Sequence, residues 1–493
     1  MNKLFLTCLL AIICHVSFAQ IQNADFEVKP PHKKTLIPKW AFFNTEGFKI
    51  SLVKSTHASG KTSLQIQSIA ENKKGLACIF LQRVPFKTTN IKRIAIIAFI
   101  KTDNARGNAG LFCFVSDKQG KQIGYQDLAL QDNYVSGNTN WKQYRLNIIL
   151  SDNSQGISFG GYLKGAGRAW FDDFCLTIDN RKNTTAASAS VNRYIKEFTD
   201  IVKQNSIYNN QLNWQKITQN INKLSGGLKT IGEAQFICGY VLDELRALGD
   251  YHSFLQPKVT AIVSAQKNTS PQKPSAKLLP NNIGYVYVPA FGSTSDTAGT
   301  NFAQNIQNMI RRLDSENDIK HWIVDLRENG GGNMYPMIAG LGPLIGNGNL
   351  GYFILPKSQD KVGVSWFYKD GCSGTNNNVL IRVPSTYKLK KSAPKIAVLI
   401  GPHTTSSGEM TAISFIGKPN IKLIGKPTGG YTTGNQGHKL SDGSYLYIAS
   451  NYCTDRNNKK YIDKIQPDIV VNVKSQTGED ATIKVAQNWL LKK

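Results

Sequence analysis

Two hydrophobic periods divide this chain. Up to about residue 180, apolar and polar residues alternate, as in Lys49-Ile50-Ser51-Leu52-Val53 and Ser63-Leu64-Gln65-Ile66-Gln67. That is the two-residue period of strands with one buried face. Turn signals such as Ser59-Gly60-Lys61 and Lys118-Gln119-Gly120 punctuate the pattern. Many short strands in succession predict an all-β sandwich over 20–180. The stretch 181–192 holds Asn183-Thr184-Thr185-Ala186-Ala187-Ser188-Ala189-Ser190, too small and polar for a core, and reads as a linker. Helical spacing follows over 193–255, in Ile195, Phe198, Ile201 and Val202, then in Trp214, Ile217, Ile221 and Leu224. Gly226-Gly227 interrupts it, and a further helix over 233–248 stops at Gly249. A Lys-, Pro- and Ser-rich loop is expected over 256–281. From 282 to 475 strand-like runs (283–288, 322–326, 396–400, 421–424) alternate with amphipathic stretches such as 302–313, the order of an α/β core. A helix is expected over 476–493.

Composition adds the compartment. Lys3, an apolar stretch over 4–16 and Ser17-Phe18-Ala19 make 1–19 an expected signal peptide. Neither Cys8 nor Cys14 follows the small residues of a lipoprotein signal, and no later run of about 18 apolar residues offers a transmembrane segment. The expected protein is exported: periplasmic, cell-surface or secreted. The chain carries 59 Lys and Arg against 33 Asp and Glu, a net charge of +26. Such a charge favours anionic surfaces. Its scatter, with export, argues against nucleic acid as a partner. Six cysteines follow the signal without any C-x-x-C spacing, so zinc and redox motifs have no support. No cofactor and no metal are expected.

Candidate chemistry gathers in four pieces. Thr405-Ser406-Ser407-Gly408-Glu409-Met410 lies between a strand-like and a helix-like run. There a serine stands clear of the sheet beside unpaired helix N–H groups. Ser-x-x-Glu is also the signature of a capping box that does no chemistry. The other pieces are Gly249-Asp250-Tyr251-His252-Ser253 past a helix end, Asp325-Leu326-Arg327-Glu328-Asn329-Gly330-Gly331-Gly332 after a strand, and Gly425-Lys426-Pro427-Thr428-Gly429-Gly430-Tyr431 after another. His403 and His438 are competing histidines, each more simply an exposed loop side chain. Arg327 and Glu328 read as a strand-end charge pair, and Lys426 as solvated. Asp250 either orients His252 or fills a turn.

In this order the pieces resemble the C-terminal processing (tail-specific) serine peptidases, peptidase family S41. The likeness is greatest to the nisin-resistance-protein subgroup, through Asn333-Met334-Tyr335-Pro336-Met337, Ala339-Gly340-Leu341-Gly342-Pro343-Leu344, the Ser406 turn and Pro427-Thr428-Gly429-Gly430-Tyr431-Thr432-Thr433. The resemblance implies a crotonase/Clp-protease-like α/β core. It also implies Ser406 as nucleophile, His252 as general base and Glu409 as acidic partner, with an oxyanion hole from the Gly331–Gly332 pair and Ser407. The Lys that closes the Gly-x-Pro-Thr-x-Gly-Lys motif of Ser-Lys members is here Tyr431, which leaves the base to His252. The stretch between His252 and Asn282 is too short for the PDZ domain common in the family. The N-terminal part resembles carbohydrate-binding jelly rolls through Asn23-Ala24-Asp25-Phe26-Glu27, His57-Ala58-Ser59-Gly60-Lys61-Thr62-Ser63-Leu64 and Ala169-Trp170-Phe171-Asp172-Asp173-Phe174. The expected function is a serine endopeptidase acting on peptide or protein substrates through an acyl-enzyme, with the sandwich a candidate for glycan contact. The alternative is a non-catalytic peptide- or glycan-binding surface protein with a degenerate peptidase core.

Overall fold

A computed structural model describes residues 21–28, 37–69, 77–86, 88, 90–131, 133–178, 185–258, 272–293, 295–355, 363–376, 378–472 and 480–492. The expected signal peptide and half of the expected 256–281 loop lie outside them. The chain is multidomain and sheet-rich. It divides into one unit of residues 1–199 and 212–247 and a second of 200–211 and 248–493.

The first unit is an antiparallel β structure: β1 (Ala41–Phe43), β2 (Phe48–Val53), β3 (Ser63–Ser68), β4 (Ala77–Pro85), β5 (Lys92–Ser116), β6 (Gln122–Asp127), β7 (Val135–Leu150), β8 (Gly156–Lys164) and β9 (Arg168–Ile178). The 25-residue β5 departs from the short strands that the sequence suggests. Its first half pairs with β7 and β9, its second with β6 and β8. Register shifts around Thr102 and Ala105, with Asn104 at φ 48°, bend the strand without ending it. The bend makes a corner, and the strands on either side enclose one core built on Phe26, Phe80, Phe159 and Phe171. The helix α1 (Ala189–Asn205) follows, then α2 (Trp214–Ser225) and α3 (Ile231–Ala247). Arg93 donates to the Leu224 carbonyl at 3.1 Å, and Gly239 of α3 lies against the Gln126 side chain, where no Cβ would fit. Cys78, Cys113, Cys372 and Cys453 are free thiols.

The second unit contains two sheets. In one, β11 (Ser275–Leu279), β12 (Ile283–Tyr287), β13 (His321–Asp325), β18 (Lys395–Ile400), β19 (Ile421–Gly425) and β23 (Ile469–Val470) lie side by side in that order. All pairs after β11–β12 are parallel. One face packs Val286, Val324 and Val398 with α4 (Asp296–Glu316) and α5 (Met334–Ile345). On the other, Ile323 and Leu399 meet Ala486 and Leu490 of α7 (Ala481–Leu491). Cover on both faces explains why these strands read as continuous apolar runs. The second sheet runs β10 (Phe254–Gln256), β21 (Tyr445–Asp455), β14 (Gly348–Ile354), β15 (Val364–Lys369), β16 (Cys372–Thr375) and β17 (Asn378–Arg382). β20 (Thr433–Lys439) and β22 (Lys460–Tyr461) also pair with β21. The short α6 (Ser407–Ile413) follows β18. Three of the four candidate pieces thus start at the C-terminal ends of adjacent parallel strands β13, β18 and β19, where α/β sheets place their sites.

Candidate active site

The turn after β18 is shaped by its hydroxyls. Thr404 Oγ1 accepts from the Gly401 N–H and donates to the Leu326 carbonyl (2.8 Å). Thr405 donates its N–H to the Asn329 carbonyl and its hydroxyl to the Gly330 carbonyl, both at 3.0 Å. Clamped on both sides, Ser406 adopts φ 53°, ψ −122°, a conformation few non-glycine residues take. Its Oγ lies 3.0 Å from His252 Nε2, across 154 residues of sequence.

His252 is fixed from below and behind. Asp250 Oδ1 accepts from the N–H groups of His252 (3.0 Å) and Ser253 (2.8 Å), so the turn-filling and positioning readings of Asp250 are one and the same. The Ser253 hydroxyl donates to Asp250 Oδ2 and accepts from the Ala449 N–H. Asn435 Nδ2 donates to the His252 carbonyl at 2.7 Å. The other ring nitrogen, Nδ1, lies 3.0 Å from Thr433 Oγ1. The Tyr431 ring meets the imidazole edge-on, with centroids 5.5 Å apart at 84°. Burial pushes the imidazole pKa down to about 4, opposed by the Thr433 backbone. At neutral pH the ring is neutral.

Glu409 does not take the place beside the ring that the sequence suggests for an acidic partner. Its carboxylate is fully buried and already holds four donors. Oε1 accepts from Thr428 Oγ1 (2.5 Å) and the Gly430 N–H (3.0 Å). Oε2 accepts from the N–H groups of Ser406 (2.9 Å) and Tyr431 (2.8 Å). Burial raises its pKa, against the lowering pull of these four bonds. The bond from Ser406 N–H is one half of a capping box, but the serine hydroxyl goes to His252.

The glycine loop abuts the serine. Gly331 and Gly332 adopt φ 101° and 105°. A Cβ on Gly331 would sit 2.9 Å from Ser406 Cβ, and one on Gly332 2.1 Å from the Phe291 carbonyl oxygen. The Gly331 N–H is taken by Asn329 Oδ1 at 3.0 Å. Among the described residues, the N–H groups of Gly332 and Ser407 donate to no acceptor. The donor that the glycine pair can offer is therefore that of Gly332. Ser407 Oγ donates to the Gly332 carbonyl (2.5 Å), tying the two loops together. Asn329, fully buried, also donates to the Val288 and Pro289 carbonyls.

The remaining candidates fall away from this cluster. Lys426 and His403 are exposed. His438 lies on β20, in register with Leu446. Arg327 does not pair with exposed Glu328. It binds the buried Asp325 carboxylate (2.6 Å) and Asp480 (2.7 Å), because Asp325 shares its strand end and Asp480 caps α7. Thr433 was not distinguishable beforehand from its neighbour Thr432. The fold separates them: the Thr432 hydroxyl donates to the Asp463 carbonyl at 3.0 Å, while Thr433, the first residue of β20, meets His252. Among the described residues no group of three or more His, Cys, Asp or Glu converges as a metal site would require, and no helix is long and apolar enough to cross a membrane.

Residues 282–471 match the profile of peptidase family S41. The nisin-resistance protein of Lactococcus lactis subsp. lactis is 35% identical over 229 residues, which span 46% of this chain and 68% of that protein. A lipoprotein from Streptococcus agalactiae superposes at TM-score 0.48 with 28% identity, over 61% of this chain and 96% of the other. The photosystem II D1 C-terminal processing protease superposes at 0.40 with 12% identity, over 58% and 93%. On the family profile and the identity to the nisin-resistance protein, the chain belongs to peptidase family S41.

Proposed function

We propose that this protein is an exported serine endopeptidase that hydrolyses peptide bonds through an acyl-enzyme. The observation that carries the reading is the 3.0 Å approach of His252 Nε2 to Ser406 Oγ, with Nδ1 engaged by Thr433. A serine hydroxyl is a weak nucleophile until a base accepts its proton. A neutral imidazole with Nδ1–H directed at Thr433 presents its lone pair, on Nε2, to that proton.

The steps follow from these contacts. Ser406 Oγ attacks the scissile carbonyl while its proton passes to His252 Nε2. The carbonyl oxygen becomes an oxyanion beside the N–H groups of Gly332 and Ser407, each such donor lowering the barrier by about 3 kcal/mol. The imidazolium returns the proton to the leaving amine, whose C–N bond breaks. Water, deprotonated by the same imidazole, then cleaves the ester and restores the Ser406 hydroxyl. Glu409 belongs to the Ser-His-Glu set as a positioning residue: it holds the Ser406 N–H against the Gly430–Tyr431 loop.

In this reading residues 282–475 form a crotonase/Clp-protease-like core, 193–255 carry the base, and 20–180 form a jelly-roll-like accessory domain. The substrate is a peptide or protein. A fluorophosphonate probe tests the proposal. Wild type is expected to label at Ser406, with labelling abolished in Ser406→Ala and slowed at least about 100-fold in His252→Ala. Turnover by His252→Ala at the parent rate would reject the assigned base.

A further inference from the structure

An uncovered aromatic row begins two residues after His252. Phe254 on β10 is 45% exposed. Tyr447 stands opposite it on β21, and the two rings stack with centroids 4.9 Å apart at 18°. Tyr445 continues the row, 6.3 Å from Tyr447 at 27°. Across β21, Gly437 of β20 is in register with Tyr447, and a Cβ there would lie 2.9 Å from that ring. The ring thus lies close over bare backbone.

The bland account is that Phe254 and Tyr447 form a cross-strand pair that fastens β10. That account uses only the face Phe254 turns to Tyr447. Its exposed side adds nothing to strand pairing and leaves apolar area in water beside the base.

The row is continuous with the site, since β10 follows directly on the loop that carries His252. Two residues of chain span at most about 7 Å, the reach of one or two substrate residues. The direction follows from the chemistry. His252 hands its proton to the leaving amine, so the segment C-terminal to the scissile bond departs past the imidazole. Charge narrows the occupant. Lys439 is in register with Tyr445, which disfavours a cationic side chain there.

We propose that Phe254, Tyr447 and Tyr445 form a specificity subsite on the leaving-group side, taking an aromatic or large aliphatic substrate side chain by stacking. This rests on the peptidase reading above. The test uses peptide pairs that differ only in one residue after the scissile bond, Phe against Ala. Two probes that lack any such residue accompany them: a fluorophosphonate and a peptidyl thioester.

Wild type is expected to favour the Phe peptide about 10- to 100-fold in kcat/KM. In Phe254→Ala and Tyr447→Ala the preference shrinks to within about 3-fold, while thioester turnover reports the Ser406–His252 pair alone. If wild type shows no preference, or both variants slow the two peptides and the thioester by one common factor, the row only fastens β10 and the subsite is rejected. A wild type that neither labels with the fluorophosphonate nor turns over the thioester rejects the peptidase reading, and this proposal with it.

Discussion

Glu409→Gln is isosteric yet is expected to be severe. The carboxylate accepts two donors on each oxygen: Thr428 Oγ1 and Gly430 N–H on Oε1, Ser406 N–H and Tyr431 N–H on Oε2. An amide has one acceptor oxygen. Whichever way it turns, its NH2 faces two N–H or O–H donors. The Thr428 hydroxyl can rotate away, but three of the four donors are backbone and cannot. With the side chain fully buried, water does not replace the lost acceptor. Each orphaned donor costs about 1–3 kcal/mol, so the loss is about 1–3 kcal/mol with the NH2 turned to Thr428 and Gly430, where the hydroxyl turns to accept, and about 2–6 kcal/mol with it turned to the Ser406 and Tyr431 N–H groups. That is a large share of the roughly 5–15 kcal/mol that holds a domain folded. Denaturant titration followed by tryptophan fluorescence reads the loss as a lower midpoint at unchanged slope. Probe labelling of the remaining folded protein reads the displacement of Ser406. A midpoint within about 0.5 kcal/mol of the parent would refute the four-donor account. If instead stability holds while the acid limb of activity moves, the carboxylate acts on the imidazole after all.

Three further outcomes are expected. Thr433→Val removes the oxygen beside Nδ1 at nearly constant shape. It should cut kcat/KM about 5-fold, the worth of one neutral hydrogen bond near 1 kcal/mol, and Thr433→Ser should restore most of it. The pH profile follows from the depressed imidazole. Between about 4 and the ordinary histidine value near 6.5 the folded protein binds fewer protons than the unfolded chain, so stability falls as pH drops through that window. Activity needs the neutral ring, so kcat/KM should stay level well below pH 6.5 and fall only on approaching the folded-state value; a limb centred at 6.5 counts against the assigned burial. Gly331→Ala places a Cβ at φ 101° and 2.9 Å from Ser406 Cβ, and should cost at least about 1–2 kcal/mol by melting while slowing probe labelling disproportionately.

The parallel strands were legible because burial on both faces writes continuous apolar runs into β12, β13, β18 and β19. The Ser406 turn and the glycine loop stand out because each sits at an element end with a distinctive local composition, whereas His252 was separated from His403 and His438 by the family resemblance alone. What local pattern could not supply is the destination of a side chain. Glu409 can face several ways from the first turn of α6, and only the folded Thr428–Tyr431 loop decides that it binds backbone rather than imidazole. Thr433 carries no signal of its own, since a threonine in a strand is ordinary and its role depends on pairing 181 residues away. Arg327 finds Asp480 across 153 residues for the same reason.

The backbone angles of Ser406 bear on how such a protein would decay. At φ 53° a side chain is held against its local preference, at a cost of about 1–3 kcal/mol, whereas glycine has no such preference to overcome. Loss of the hydroxyl by a change to glycine is therefore thermodynamically downhill. Ser406→Gly is expected to keep or raise the melting midpoint even though it removes the hydroxyl from His252.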